Sequence, residues 1–188
     1  MHKLTKIAIT GPESTGKSML AKQLANHYHA LWVPEFARYY LQELGRDYVF
    51  DDVLHIARQQ QKSQQAFEEL SSDLLFSDTE LLVTKIWCEV KYGSCHQWIE
   101  ENLQKQDFDL YLLTDIDLPW EYDELREHPH QREMLFKLYQ KALDKQGFPY
   151  VIISGTGEKR LRNAVEAVDK MMSQRVVSSP KRDNNPGR

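Results

Sequence analysis

Apolar positions fall in two rhythms along this chain. Five short runs are apolar almost throughout: Lys6–Thr10, Leu31–Pro34, Leu74–Asp78, Leu110–Thr114 and Tyr150–Ser154. Between them apolar residues recur at helical spacing. This predicts helices over Lys17–His29, Phe36–Leu44, Asp52–Leu70, Glu80–Tyr92 with Cys95–Gln106, Gln131–Gln146 and Glu158–Ser173. Strands alternating with helices predict an α/β fold, a parallel five-stranded sheet with helices on both faces. Runs without alternation suit strands covered on both sides. In such open sheets ligands bind outside the carboxyl ends of the strands. That rule selects Gly11–Ser18, Pro34–Arg38, Asp78–Lys85, Asp115–Arg126 and Ser154–Glu158.

A length of 188 residues suits one domain with a full core. It is expected over residues 1–176, with a lid-like segment at about 115–133. The polar end "RVVSSPKRDNNPGR" lacks periodicity, so 177–188 is expected to be a disordered tail. The net charge of −4 argues against a nucleic-acid partner. No apolar run approaches the ~20 residues of a membrane span, and the start lacks the apolar core of a signal peptide. A cytoplasmic location is the resulting expectation. Cys88 and Cys95 form neither a C-x-x-C pair nor a zinc spacing and read as reduced thiols.

The most specific local signal is "GPESTGKS", Gly11 to Ser18, which fits G-x-x-x-x-G-K-[ST] between a strand and a helix. Its backbone N–H groups and the following helix N-terminus suit the phosphates of a nucleoside triphosphate, ATP. Gly11, Glu13, Ser14, Thr15, Gly16, Lys17, Ser18 and Met19 are the expected residues of the nucleotide site, with Lys17 at the β/γ-phosphates and Ser18 on Mg²⁺. Glu13 is unusual beside polyphosphate; it faces outward or meets the acceptor.

Phosphoryl transfer also needs a second metal-side group and a positioned acceptor. Asp78 ends the third strand and could hold Mg²⁺; it could equally cap the following helix. Glu35 follows the second strand, where it could take a hydroxyl proton or merely favour the helix dipole. Glu35 is the first choice as base and Asp78 the second. Arg38 shares a face with Glu35, as orienting group or plain ion pair. Gln60 and Gln64 interrupt the apolar stripe of the third helix, which puts that face on a polar cleft or in water. Within the lid-like segment Arg126 and Arg132 could reach phosphate, and Trp120 could stack on a ring or anchor the loop. His128 and His130 have no third ligand nearby, so no metal beyond Mg²⁺ is expected. Gly155 lies in a tight turn that could pass beside a base.

No guanine-reading Asn-Lys-x-Asp segment is present, and a motor would need more chain. A small-molecule kinase fits best. The blocks "LWVPEFARYYL", "LLFSDTELLVTKIWCEVKYG" and "DIDLPWEYDELREHP" add something more specific. Over about residues 5–172 the chain resembles the ribosylnicotinamide kinase domain of NadR-type proteins of NAD biosynthesis. The resemblance implies transfer of the γ-phosphoryl of ATP to the 5′-hydroxyl of nicotinamide riboside, giving nicotinamide mononucleotide. It implies catalytic roles for Lys17, Glu35, Asp78 and Arg126, and an acceptor pocket of Pro34, Glu35, Arg38, Gln60, Trp87 and Trp120. Multidomain members carry an adenylyltransferase domain and some a DNA-binding domain; neither is expected in this chain. Another nucleoside or small metabolite as acceptor stays open, as do a regulatory ATP-binding module and a homo-oligomer.

Overall fold

The computed structural model describes residues 3–125 and 130–178. The expectations placed on Arg126, on His128 and on the tail from residue 179 onward lie outside them. The chain runs β1 (Thr5–Thr10), α1 (Lys17–Tyr28), β2 (Leu31–Val33), α2 (Phe36–Glu43), α3 (Phe50–Leu70), β3 (Leu74–Asp78), α4 (Leu81–Tyr92), α5 (Gln97–Leu103), β4 (Leu110–Thr114), α6 (Arg132–Gln146), β5 (Tyr150–Ile153) and α7 (Gly157–Ser178). All strands are parallel, in the order β2-β3-β1-β4-β5. The expected α/β architecture, a five-stranded parallel sheet with helices on both faces, is what forms.

Alternation inside β1 splits the core. Ile7 and Ile9 face α1 and α7, where Leu20, Leu24, Ala164 and Val168 complete one cluster. Ala8 faces the other way, toward Val53, Leu82, Ile99 and Leu143 of α3, α4, α5 and α6. β5 is an edge strand, and Val151 and Ile152 are each 40% exposed, so the expected two-sided cover fails there. α7 continues past Ser173 to Ser178, into the stretch expected to be an unstructured tail. Arg175 tethers it, donating to Thr5 Oγ1 at 2.8 Å and to Asp109.

Strand order does the positioning. β1 lies between β3 and β4, so the loop after β1 has the β3 end on one side and the β4 end on the other. Beyond β3 comes β2, whose exit carries Glu35. No helix among the described residues is long and apolar enough to cross a membrane.

α3 starts at Phe50, earlier than the apolar spacing suggested, because Asp52 works as its cap. The Val49 N–H donates to Asp52 Oδ2 at 2.7 Å, Arg46 donates at 2.7 and 2.9 Å, and the Tyr40 hydroxyl at 2.7 Å. The Arg46 guanidinium, then the Val49 N–H and Tyr40, hold this carboxyl well below the usual range. Replacing Asp52 by Ala should lower unfolding free energy by about 1–2 kcal/mol, the cost of a lost cap, read from urea melts at neutral pH. Because the folded pKa is depressed, the contribution is complete above the ordinary carboxylate value of ~4 and fades as pH falls below it. The gap between wild type and variant should therefore narrow in melts run at low pH.

Candidate functional site

The loop after β1 begins with a close approach. A Cβ on Gly11 would lie 2.5 Å from Thr114 Oγ1 and 3.0 Å from Thr114 O, and φ there is +135°. Only glycine fits that backbone against the β4 end. Gly16, at φ 75°, caps α1 and turns the chain so that Lys17 opens the helix. Thr15 Oγ1 donates to Pro12 O and shares a 2.7 Å bond with Thr114 Oγ1. Lys17 Nζ also donates to Pro12 O, at 2.8 Å. The lysine thus stands over the concave side of its own loop, where a phosphate oxygen could take the place of that carbonyl. Met19 is 67% exposed, so its side chain is not part of this cradle; only its backbone N–H in the first turn of α1 remains to offer.

Asp78 lies beside this loop. The Ser18 hydroxyl and the Lys17 and Lys22 ammonium groups favour its charged form. Its Oδ1 is buried with no hydrogen-bond partner among the described residues. A buried, unpaired carboxylate oxygen next to a hydroxyl suits a hard, oxygen-seeking cation. No group of three or more His, Cys, Asp or Glu among the described residues could hold a metal by itself. Mg²⁺ fits that pattern, since it keeps waters and substrate phosphates in its shell. The alternative reading of Asp78 as a helix cap is corrected by geometry. Thr79 takes φ +69°, and Glu80 caps α4 instead, accepting from Leu82 N at 2.5 Å and Thr10 Oγ1 at 3.0 Å. Burial pushes the Glu80 carboxyl up to about 7.

Glu35 arrives from the other side. It ends the extended link from β2 and serves as the N-cap residue of α2, without a side-chain capping bond. Burial and the Asp78 charge raise its pKa, and Lys17 and Arg38 oppose that rise. Asp78 is raised too, by burial, against Ser18, Lys17, Lys22 and Arg38. The charge of Glu13 also reaches Glu35. Lys17, Ser18, Glu35, Arg38, Asp78 and Glu13 therefore lie within electrostatic reach of the two carboxylates at this edge of the sheet.

Gln60 organises that edge. The Phe36 N–H donates to its Oε1 at 2.8 Å, while its Nε2 donates to Pro34 O at 3.2 Å and to Asp78 O at 3.5 Å. The amide expected to touch an acceptor is occupied by backbone at the β2 and β3 ends. Gln64 is likewise engaged with Glu68 and Ser77. Pro34 is exposed beside Glu35 and offers its carbonyl to Gln60. Trp87 is also spoken for: its indole N–H donates to the Tyr48 hydroxyl at 2.7 Å and its ring meets Tyr48 edge-on. It packs in the corner between α4 and the α2–α3 loop, and neither of those contacts goes to Glu35 or Trp120.

Residues after β4 form a strap over the cradle. Glu121 N donates to Ser14 Oγ at 2.9 Å. Arg132 donates to Ser14 O at 3.2 Å and twice to Leu118 O at 2.9 Å, with its guanidinium 5.9 Å from the Trp120 ring centroid. Asp123 pairs with Arg38 at 2.8 Å. At the root of the strap stands Arg160, which sequence reading missed. It is 5% exposed and donates to Asp117 at 2.6 Å, Gly155 O at 2.8 Å, Thr15 O at 2.8 Å and Asp115 O at 2.9 Å. Gly155 N donates to Asp117 as well, so the backbone of this turn is taken up within the protein. One signal existed: Arg160 shares the buried face of α7 with Ala164 and Val168, four and eight residues on.

Comparison with known proteins fits this geometry. A family model described as an AAA domain matches residues 6–160. The chain belongs to that family. It is 27% identical over 175 residues to the trifunctional NAD biosynthesis/regulator protein NadR of Escherichia coli strain K12, covering 89% of this chain and 43% of that protein. The NadR of Salmonella typhimurium strain LT2 matches to the same extent. The chain spans less than half the length of these relatives. Among solved structures, NadR in complex with NR superposes with a TM-score of 0.76 at 20% identity, covering 89% of this chain and 50% of that one. Deoxyadenosine kinase from M. mycoides, with products dCMP and dCDP bound, superposes at 0.61 and 16% identity, covering 88% and 100%. At these identities the superpositions establish the α/β P-loop fold, and the resemblance to the NadR-type domain stands.

Gln60→Leu keeps the side-chain size but leaves the Phe36 N–H and Pro34 C=O without their amide. Leaving these half-buried polar groups unpaired costs about 1 kcal/mol, the low end for unsatisfied groups, so the variant should unfold at a lower denaturant concentration.

Proposed function

We propose that this domain is an ATP- and Mg²⁺-dependent kinase that phosphorylates a nucleoside, nicotinamide riboside before others. One observation carries the reading. A partly desolvated carboxylate, Glu35, stands within electrostatic reach of the lysine of a phosphate loop and of a second carboxylate with an unpaired buried oxygen. A nucleotide-binding switch needs no such group on the far side, whereas a kinase needs one to orient and deprotonate an alcohol.

Gly11–Ser18 cradle the triphosphate, with Lys17 leaving Pro12 O for the β/γ-phosphates. Ser18 and Asp78 would hold Mg²⁺, which neutralises charge on the phosphates. The acceptor 5′-hydroxyl lies against Glu35, which takes its proton as the oxygen bonds to the γ-phosphorus and ADP leaves. Arg38 limits the rise in the pKa of Glu35 and keeps enough of it ionised to act. Arg132, held against Ser14 and Leu118, would be the cation that meets the charge developing on the transferred group.

Nicotinamide riboside suits the cleft because its pyridinium ring is a fixed cation. Glu13 and Asp78 both act on Glu35, and Asp123 and Glu121 lie in the strap. Carboxylates and the Trp120 face favour a cation over a neutral base. The NadR relatives and the NR-bound NadR structure support the same acceptor.

The test is a panel of nucleosides with ATP and Mg²⁺, read by product mass and ADP release. ADP should appear only with an acceptor, and nicotinamide riboside should outpace uridine, thymidine and deoxyadenosine. ADP release that ignores the acceptor would replace the kinase reading with an ATPase module. Lys17→Ala should lower kcat by about 10³-fold, the scale of losing a preorganised donor to transition-state charge. Glu35→Gln should cost about 10²-fold. In the wild type, activity should fall as pH drops through a pKa above the ordinary glutamate value of ~4.3, because the base must be ionised. Glu35→Gln should abolish that acid limb.

A further inference from the structure

One inner space plays no part in the proposed reaction. A cavity of about 140 Å³ lies between the C-terminal half of α3, the β3–α4 turn and the link from α5 to β4. Short side chains leave the room. Lys6 lines the cavity from β1, and Ala8, the next residue on that face, pairs in register with Ser77 of β3. Both are fully buried, and Gln64 reaches from α3 to meet the Ser77 hydroxyl.

The two ends differ. Gln60 closes the inner one. Its amide is spent on the Phe36 N–H, Pro34 O and Asp78 O, so it forms a wall shared with the strand ends that carry Glu35 and Asp78. The outer end meets solvent between Gln65 of α3 and Lys105 and Asp107 of the link, all three exposed.

The lining selects the kind of molecule that fits. Lys6 pairs with Glu68 at 3.0 Å and with Asp107. Both oxygens of Glu80 accept, one from Thr10 Oγ1 and one from the Leu82 N–H. Each charge behind the mouth thus has a partner, and an entering ion would lose hydration without gaining a counter-charge. Gln106 is the exception among the polar groups. Its Oε1 is buried and has no hydrogen-bond partner among the described residues. An acceptor in that position calls for an N–H or O–H donor. Phe108 and Leu81, both buried, add an apolar wall. A space of ~150 Å³ is about what one benzene-sized ring occupies.

We propose that this cavity is a second binding site, for a neutral single-ring carboxamide. The carboxamide N–H₂ donates to Gln106 Oε1, the ring lies against Phe108 and Leu81, and the amide oxygen is left to the glutamine amides of α3. The site goes beyond the kinase reading and holds whether or not that reading does, since neither a triphosphate nor an acceptor takes part in it.

The probe is benzamide, with benzoate as its anion of the same shape. Each is titrated into the full chain labelled with ¹⁵N, with and without excess ATP and Mg²⁺, and backbone amide shifts are followed by NMR. Benzamide should give saturable shifts at residues 61–68 and 105–108, and ATP should leave them in place. Benzoate should bind at least about tenfold more weakly. Gln106→Leu removes the unpaired acceptor and touches none of the proposed catalytic groups. It should weaken benzamide by about tenfold, the scale of one hydrogen bond. Should Gln106→Leu fold poorly, Gln106→Ala is read in the same way. Absence of a saturable shift would overturn the proposal. So would shifts confined to Glu35–Arg38 and the strap, displacement by ATP, equal binding of benzoate, or wild-type affinity in the folded Gln106 variant.

Discussion

The site depends on one buried amide. Gln60 reaches from α3 to the backbone at the exits of both β2 and β3, and so sets the distance between the segments that carry Glu35 and Asp78. Burial raises both carboxylates at these adjacent strand ends, and the Asp78 charge adds to the rise of Glu35. Such a pair disperses unless the backbone holding it is itself constrained. Gln60 supplies that constraint at 5% exposure, where a hydrogen bond faces little competition from water. Its neutral amide is the suitable group for the purpose. A third carboxylate there would add to the repulsion, and an apolar residue would leave the Phe36 N–H unpaired.

The phosphate side is tied to the same frame by hydroxyls. Glu80 accepts from Thr10, Thr114 donates to Thr10 O and meets Thr15, and Thr15 shares Pro12 O with Lys17. These contacts run from the β3–α4 turn across β1 and β4 into the loop. Thr79, at φ +69°, is what permits them. Its left-handed backbone hands the capping role to Glu80 and leaves the Asp78 side chain unspent. A non-glycine residue held at positive φ costs on the order of 1–3 kcal/mol. The fold tolerates this where releasing the strain would move Asp78 away from Ser18.

The architecture was legible because periodicity and strand ends are local properties. "GPESTGKS", the apolar runs and the order of elements are enough to place Lys17, Ser18, Glu35 and Asp78 at one edge of a parallel sheet. Side-chain assignment was less legible. A glutamine in an apolar stripe means either a ligand contact or a backbone contact, and sequence cannot distinguish them: Gln60 bonds backbone. Trp87 sits close in sequence to Asp78, but α4 carries it to Tyr48. Arg160 was invisible as a site residue because its partners lie at Thr15, Asp115, Asp117 and Gly155, and only tertiary folding brings them together. α7 outran its apolar stripe because Arg175 finds Thr5 and Asp109, contacts that no local pattern announces.

The strap over the cradle is graded in strength along its length, and the grading follows from burial. At its root Asp117 meets a buried guanidinium that also holds the phosphate loop, so losing the carboxylate would leave a buried cation without its counter-charge. At its tip Asp123 meets Arg38, whose side chain is 43% exposed, and a pair of that kind contributes only ~0.2–1 kcal/mol. Between them Glu121 and Arg132 bond to Ser14 of the loop. The root therefore stays with the nucleotide side, while the tip costs little to lift from α2. On the proposed reading, an acceptor beside Glu35 would displace the exposed Arg38–Asp123 pair, while the contacts to Ser14 would stay in place. Arg38 then exchanges one carboxylate for whatever the acceptor brings. The charge on Glu35 is set partly by that same guanidinium, so binding at the tip and ionisation of the base are physically linked.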